Sequence, residues 1–234
     1  MALIEKLTAI ADAIRGKTGK SDKLTLAEMP TEIESIQTGG KSCDHAMEDS
    51  LVARNSTEYV NDRVERIGYQ AFRYYSSLKR CSFANVKTVA QYAFSDCGAL
   101  EQINIPNATT LGGRMLNGCS SIKTLHLPKV TTLEDYALVQ NGLAKVRFDV
   151  ITRIAQKTFS ACNDFETLIL ATPTLVTLAN VNAFDSTLIK SGTGYIYVPK
   201  ALIEDYKVAT NWITFAEQFR AIEDYPEICG GVTE

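Results

Sequence analysis

The feature that most constrains this chain is a unit of about 22 residues that recurs along it, a period in the range that produces stacked solenoids. The clearest copies are Val64-Glu65-Arg66-Ile67-Gly68-Tyr69-Gln70-Ala71-Phe72 and Val86-Lys87-Thr88-Val89-Ala90-Gln91-Tyr92-Ala93-Phe94. Later copies place Met115-Leu116, Ala137-Leu138, Thr158-Phe159 and a looser Ala183-Phe184 where these have Ala-Phe. Each unit continues to an alternating apolar pair: Cys81/Phe83, Ile103/Ile105, Leu125/Leu127, Val146/Phe148 and Leu168/Leu170. Alternation with period two reads as a short strand with one buried face. A unit of this length cannot bury that face alone, so successive units must stack, and stacking makes the strands one parallel sheet. Pro106, Pro128 and Pro199 follow the strand positions, and proline cannot donate to a ladder.

Composition agrees with a stacked fold of ordinary solubility, 45% hydrophobic and 22% charged. At 234 residues the chain is long enough to bury most of its apolar surface. Its net charge of -3 lacks the clustered cations that nucleic-acid binding requires. No apolar stretch approaches a membrane span. Met1-Ala2-Leu3-Ile4-Glu5-Lys6-Leu7 carries charges where an export signal has its apolar run, so no signal peptide is expected.

Of the six cysteines, Cys97, Cys119 and Cys162 share one repeat position, just before Leu100, Ile122 and Phe165. Cysteine there acts as a small hydrophobe, and the expectation is buried, reduced thiols. A metal site needs paired ligands at short spacing, and no such pair occurs.

The pattern Ile-Gly-x-x-Ala-Phe, then a small residue or Cys, Leu, and Leu-x-Leu-Pro resembles the BspA-like leucine-rich repeats of gut and oral bacteria and their phages. The resemblance spans roughly residues 60–199. It implies a right-handed leucine-rich-repeat solenoid, α/β to mainly β, with short parallel strands and a binding surface in place of a catalytic site. Unit four departs from the pattern, with Asn141 for Cys and one residue fewer, and unit six is stretched around Ser186 to Gly194.

The flanks have a different period. Leu3, Leu7, Ile10 and Ile14 form a narrow apolar seam on a helix that Gly16 and Gly19 end, and Thr25-Leu26-Ala27-Glu28 is a capping box for a second helix. The seam fits either self-association as a coiled coil or a hairpin of the two helices. Residues 7–30 also resemble the N-terminal segment of tail-associated and structural proteins in phages of Firmicutes. After Pro199, a helical run and Trp212, Ile213, Phe215 and Phe219 are expected to cover the last coil, because an open solenoid exposes its final core layer. The chain thus divides into a helical assembly module at 1–38, a linker and entry at 39–58, about six repeats at 59–199, and a helical cap at 200–234.

Chemistry is sparse. His45 and His126 stand in unrelated contexts, and Cys43-Asp44-His45 has no third group at a recognisable spacing. Glu134-Asp135 and Glu204-Asp205 read as surface charge. A carbohydrate-active enzyme needs facing carboxylates, which the outward strand positions do not offer. No catalytic residue, metal or cofactor is expected.

Those outward positions instead stack as polar ladders: Arg80/Ser82, Gln102/Asn104, Thr124/His126, Lys145/Arg147 and Thr167/Ile169. The first eight are the candidate ligand-binding set, for a protein or glycan on a cell surface; the alternative is a solvated sheet face that binds nothing. Two settings compete. A phage or prophage tail component would be found in the virion or bacterial cytoplasm, whereas an adhesin would be on the bacterial surface after loss of a signal.

Overall fold

In the computed structural model, residues 56–230 are described. The N-terminal expectations, including the seam of Leu3, Leu7, Ile10 and Ile14 and the Cys43-Asp44-His45 triplet, lie outside them.

Two strand ladders run along the solenoid. Longer strands at Glu58–Val60, Arg80–Ser82 and Gln102–Asn104 form one sheet, and Thr124–Leu127, Lys145–Phe148, Thr167–Leu170, Tyr195–Val198 and Phe219–Ala221 form the next. Two-residue strands at Arg66–Ile67, Thr88–Val89, Thr110–Leu111 and Thr132–Leu133 make a second wall. Arg153–Ile154 and Thr177–Leu178 pair beyond it. Every pairing is parallel.

The register reproduces the repeat. Arg80 pairs with Gln102, 22 residues on, while Thr124 pairs with Lys145, one residue short of that step. Thr167 pairs with Tyr195, which absorbs the stretch in unit six. The short unit depends on Gly142, whose missing Cβ would lie 2.0 Å from the carbonyl oxygen of Ser120. No side chain fits that approach.

Inside, the repeat positions superpose as buried columns. Phe72, Phe94, Leu116, Leu138, Phe159 and Phe184 are fully buried, and Phe72 stacks on Phe94 at 5.0 Å. Phe159 likewise stacks on Phe165 at 4.3 Å. Thr158, the polar residue in the Ala position, is buried but donates its hydroxyl to the Ala155 carbonyl at 2.8 Å. That bond removes the penalty of an unpaired buried hydroxyl.

The turn side of each coil is held by left-handed residues. Gln70, Tyr92, Arg114, Tyr136 and Lys157 form one set, and Tyr74, Asp96, Gly118, Gln140, Ala161 and Ser186 a second, all with positive φ. Most donate their amide to the coil that follows, as Tyr92 does to Gly113 at 3.1 Å and Ala161 to Asp185 at 2.8 Å. A conformation that costs a non-glycine residue about 1–2 kcal/mol is thereby tied to an inter-coil hydrogen bond.

After Pro199 the chain forms a three-ten turn at Lys200–Leu202, a helix at Ile203–Val208 and a three-ten stretch at Trp212–Gln218. Its side chains meet backbone groups at the end of the array. Tyr206 accepts the Val176 amide at 3.0 Å, Trp212 donates to the Val176 carbonyl at 2.6 Å, and Asn211 donates to Leu178 at 2.8 Å. Trp212 and Phe215 pack on Phe184. Burial pushes the Tyr206 phenol up to about 12.

Candidate functional site

Pleating turns alternate residues of the longer strands outward, and parallel stacking in register places equivalents side by side. Arg80 and Ser82 therefore lie beside Gln102 and Asn104 on an accessible face, and Thr124 is exposed on the strand of the next unit, which begins the second sheet. Arg80 is drawn towards Glu58, its Nε at 3.0 Å and its second guanidinium nitrogen at 2.9 Å from one carboxylate oxygen. Asn104 donates to the Ser82 hydroxyl at 3.3 Å. Amides and hydroxyls at this spacing can hydrogen-bond either a peptide backbone or sugar hydroxyls.

The other half of the face is different. His126 is half-buried and bonds Asp149 through Nε2 at 2.8 Å, while Arg147 donates Nε to the other Asp149 oxygen at 2.7 Å. The Lys145 ammonium donates to the carbonyl of Ile228, and the Arg147 guanidinium to that of Cys229. Ile169, expected outward, does leave the interior, yet it is 0% exposed because the C-terminal segment lies over it. The outward ladders thus do not run free along the whole array.

Sequence reasoning also missed a shallow groove of about 350 Å³ on the loops that precede the strands of units three to five. Gln140, Asn141, Asn163, Lys123 and Asp164 line it, and the last two are paired at 2.9 Å. Its signal was present in the one-residue shortening of unit four and in Asn141 replacing Cys. The Asn141 side chain donates to Leu138 at 2.8 Å and accepts the Leu143 amide at 3.0 Å.

The cysteines are buried and free among the described residues, and three do more than fill space. Cys97 reaches the carbonyl oxygen of Phe72 at 2.9 Å, Cys119 that of Phe94 at 3.1 Å, and Cys162 that of Leu138 at 3.0 Å. Each thiol donates to the coil before it, so the shared position is a weak hydrogen-bond ladder as well as a packing column. Burial pushes the Cys162 thiol up to about 12 and raises Cys81. The hydrogen-bonded neighbour Cys97, with burial, raises Cys119. Protonated thiols of this kind are inert nucleophiles.

Glu134 accepts the Gly113 amide at 2.8 Å and Asp135 accepts from Gln156 at 2.7 Å, so this adjacent pair serves the loops separately. Among the described residues no three His, Cys, Asp or Glu side chains gather as metal ligands, and no helix is long and apolar enough to cross a membrane.

None of the curated proteins compared with the chain is similar to it. Among solved structures, the pneumococcal vaccine antigen PcpA is similar in fold, with a TM-score of 0.59 at 16% identity over 71% of this chain. The chain spans 40% of that protein's length. A leucine-rich-repeat protein of T. pallidum aligns with 53% of this chain and 73% of its own, at 21% identity and a TM-score of 0.40. Residues 54–166 and 87–195 match the BspA type leucine rich repeat region, in six copies. Those matches cover more than half of the chain, and their frame is the one that the buried columns and strand register follow: this chain belongs to the BspA type leucine-rich-repeat family.

Proposed function

We propose that the chain is a non-catalytic scaffold that binds a protein or glycan through the open part of its strand face. The observation that carries this reading is the in-register set of Arg80, Ser82, Gln102 and Asn104, with Thr124 exposed on the strand of the next unit, all accessible and rich in hydrogen-bonding groups. Solenoids commonly bind through such a surface. His126, Lys145 and Arg147 complete the set at its covered end. In this reading residues 1–38 are the assembly module, 39–58 the linker and 200–234 the closing cap, with the binding array between.

The same reading places the protein in a phage or prophage tail, on the resemblance of residues 7–30 to phage structural proteins. A surface adhesin is the second reading, favoured by family membership and by the fold likeness to a vaccine antigen. Two measurements test these proposals. Binding of labelled protein to glycan arrays and to cultured cells should be lost on combining Arg80→Ala, Gln102→Ala and Asn104→Ala, with melting unchanged; equal binding by the variant would refute the strand-face site. Mass spectrometry of particles purified after prophage induction in the source strain should find the chain, whereas detection on the cell surface alone would favour the adhesin.

A further inference from the structure

Beyond the last strand the chain turns back across the strand face. Ile222–Asp224 is a three-ten turn and Pro226–Cys229 a single helical turn. Cys229 is buried with Ile169 and Tyr197, and Ile222, Tyr225 and Ile228 pack against them. This cluster is separate from the core that fills the coils. Tyr225 meets Tyr197 edge to face at 5.5 Å.

Polar contacts fix the same segment. Carbonyls at the end of a helical turn have no partner within it, and here Lys145 and Arg147 supply donors to those of Ile228 and Cys229. Asp149 holds Arg147 in place at 2.7 Å. Apolar side chains underneath and two cations at one end are a complete recognition set for a short piece of polypeptide.

We propose that Lys145, Arg147, Ile169 and Tyr197 form a peptide-binding surface, occupied in this structure by residues 222–229 as a strap that a second such segment displaces. The partner is a short polypeptide with two or three apolar side chains that ends in unpaired backbone carbonyls. Within the strap these cations donate to the backbone carbonyls of Ile228 and Cys229, so the surface selects apolar spacing and chain geometry and does not require this one sequence. This rests on the strand face being a binding surface, and it assigns a peptide partner to the covered end. Only Ile169, Tyr197 and Cys229 are fully enclosed in the strap cluster, against the long columns of the main core, so the strap opens by local unfolding while the coils stay folded.

The test uses the full chain. Alkylation under native conditions, read residue by residue by peptide mass mapping, should modify Cys229 at least about tenfold faster than Cys81, Cys97, Cys119 and Cys162, as local opening requires. A fluorescent synthetic peptide of residues 222–230 should bind in trans to the Ile228→Asp variant, whose own strap is loosened, and should bind the unaltered chain far less. A double variant, Lys145→Ala with Arg147→Ala, loosens the strap from the sheet side and should speed Cys229 alkylation without gaining peptide binding. Circular dichroism establishes that each variant is folded. Cys229 as slow as the core thiols, no peptide binding to Ile228→Asp, or undiminished peptide binding to the double variant each overturns the proposal. Loss of glycan or cell binding on changing Gln102 and Asn104 concerns the open half and leaves these results untouched.

Discussion

The two halves of the strand face share one backbone pattern and differ in what covers them. In units one to three the outward pairs are Arg80/Ser82, Gln102/Asn104 and Thr124/His126, open to solvent except where His126 meets Asp149. From unit five onward Ile169 and Tyr197 sit at equivalent pleat positions, yet they are 0% and 4% exposed beneath residues 222–229. Lys145 and Arg147 mark the boundary, outward in register but engaged with the strap. Pleating decides only which side of the sheet a residue is on. Whether that side is wet depends on chain far away in sequence.

The sharpest way to break the comparison is to place the same charge at one pleat position in each half. Ile169→Asp puts a carboxylate among the apolar side chains of the strap cluster and opposite Arg147 in register, where it competes for the guanidinium that holds the strap, and should cost about 2 kcal/mol or detach the strap. Thr124→Asp, on the open side, should stay within about 0.5 kcal/mol. Urea unfolding of both variants decides it: equal losses would mean that the halves are equally buried.

Much of the open half was legible in the chain. Period-two pairs set which residues face in, the 22-residue step set their neighbours, and the proline positions set the strand ends. Covered positions were harder, because strand alternation encodes a face and says nothing of a second layer. Ile169 was the visible clue, an apolar residue in an otherwise polar ladder, with Ile222, Tyr225 and Ile228 as the apolar residues that answer it. The thiol donors were also hidden. Repeat spacing shows that Cys97, Cys119 and Cys162 are stacked, but their bonds to the preceding coil follow from backbone turns that the left-handed residues create.

Beneath both halves the protonated thiols make the interior sensitive to alkali. The Cys162 thiol is raised from an ordinary value near 9 to about 12, so the folded state holds a proton that the unfolded chain releases. Its contribution is full below pH 9 and is lost as pH rises towards 12, at about 1.4 kcal/mol per pH unit. Chemical unfolding at pH 8, 9.5 and 11 should show that decline, and Cys162→Ala should flatten its slope by about that amount. An unchanged slope would mean that the thiol titrates normally. Cys119→Ala, under the open half, should itself cost about 1–2 kcal/mol at pH 7, from lost burial and the lost thiol bond to the Phe94 carbonyl, which keeps only the Cys97 amide at 3.3 Å.

The smallest expected effect concerns the second left-handed set, which spans both halves. Gly118 lies in the open half with φ of +76°, and Ala161 lies under the covered half with φ of +59°. A left-handed Cβ costs about 1–2 kcal/mol, against roughly 0.5–1 kcal/mol for the extra freedom glycine loses on folding. Ala161→Gly should therefore stabilise the protein by about 0.5 kcal/mol, since its amide keeps the bond to Asp185 at 2.8 Å. Gly118→Ala runs the other way, because its new Cβ would meet Asp96 Oδ1 at 2.8 Å and Asp96 Cα at 3.3 Å. The carboxylate can swing aside but the backbone cannot, so the loss should be about 1–2 kcal/mol. Paired thermal melts in one buffer resolve the opposite signs. The same sign for both would show that backbone strain is not what distinguishes these positions, and that the inter-coil hydrogen bonds alone set the stability of the turn side.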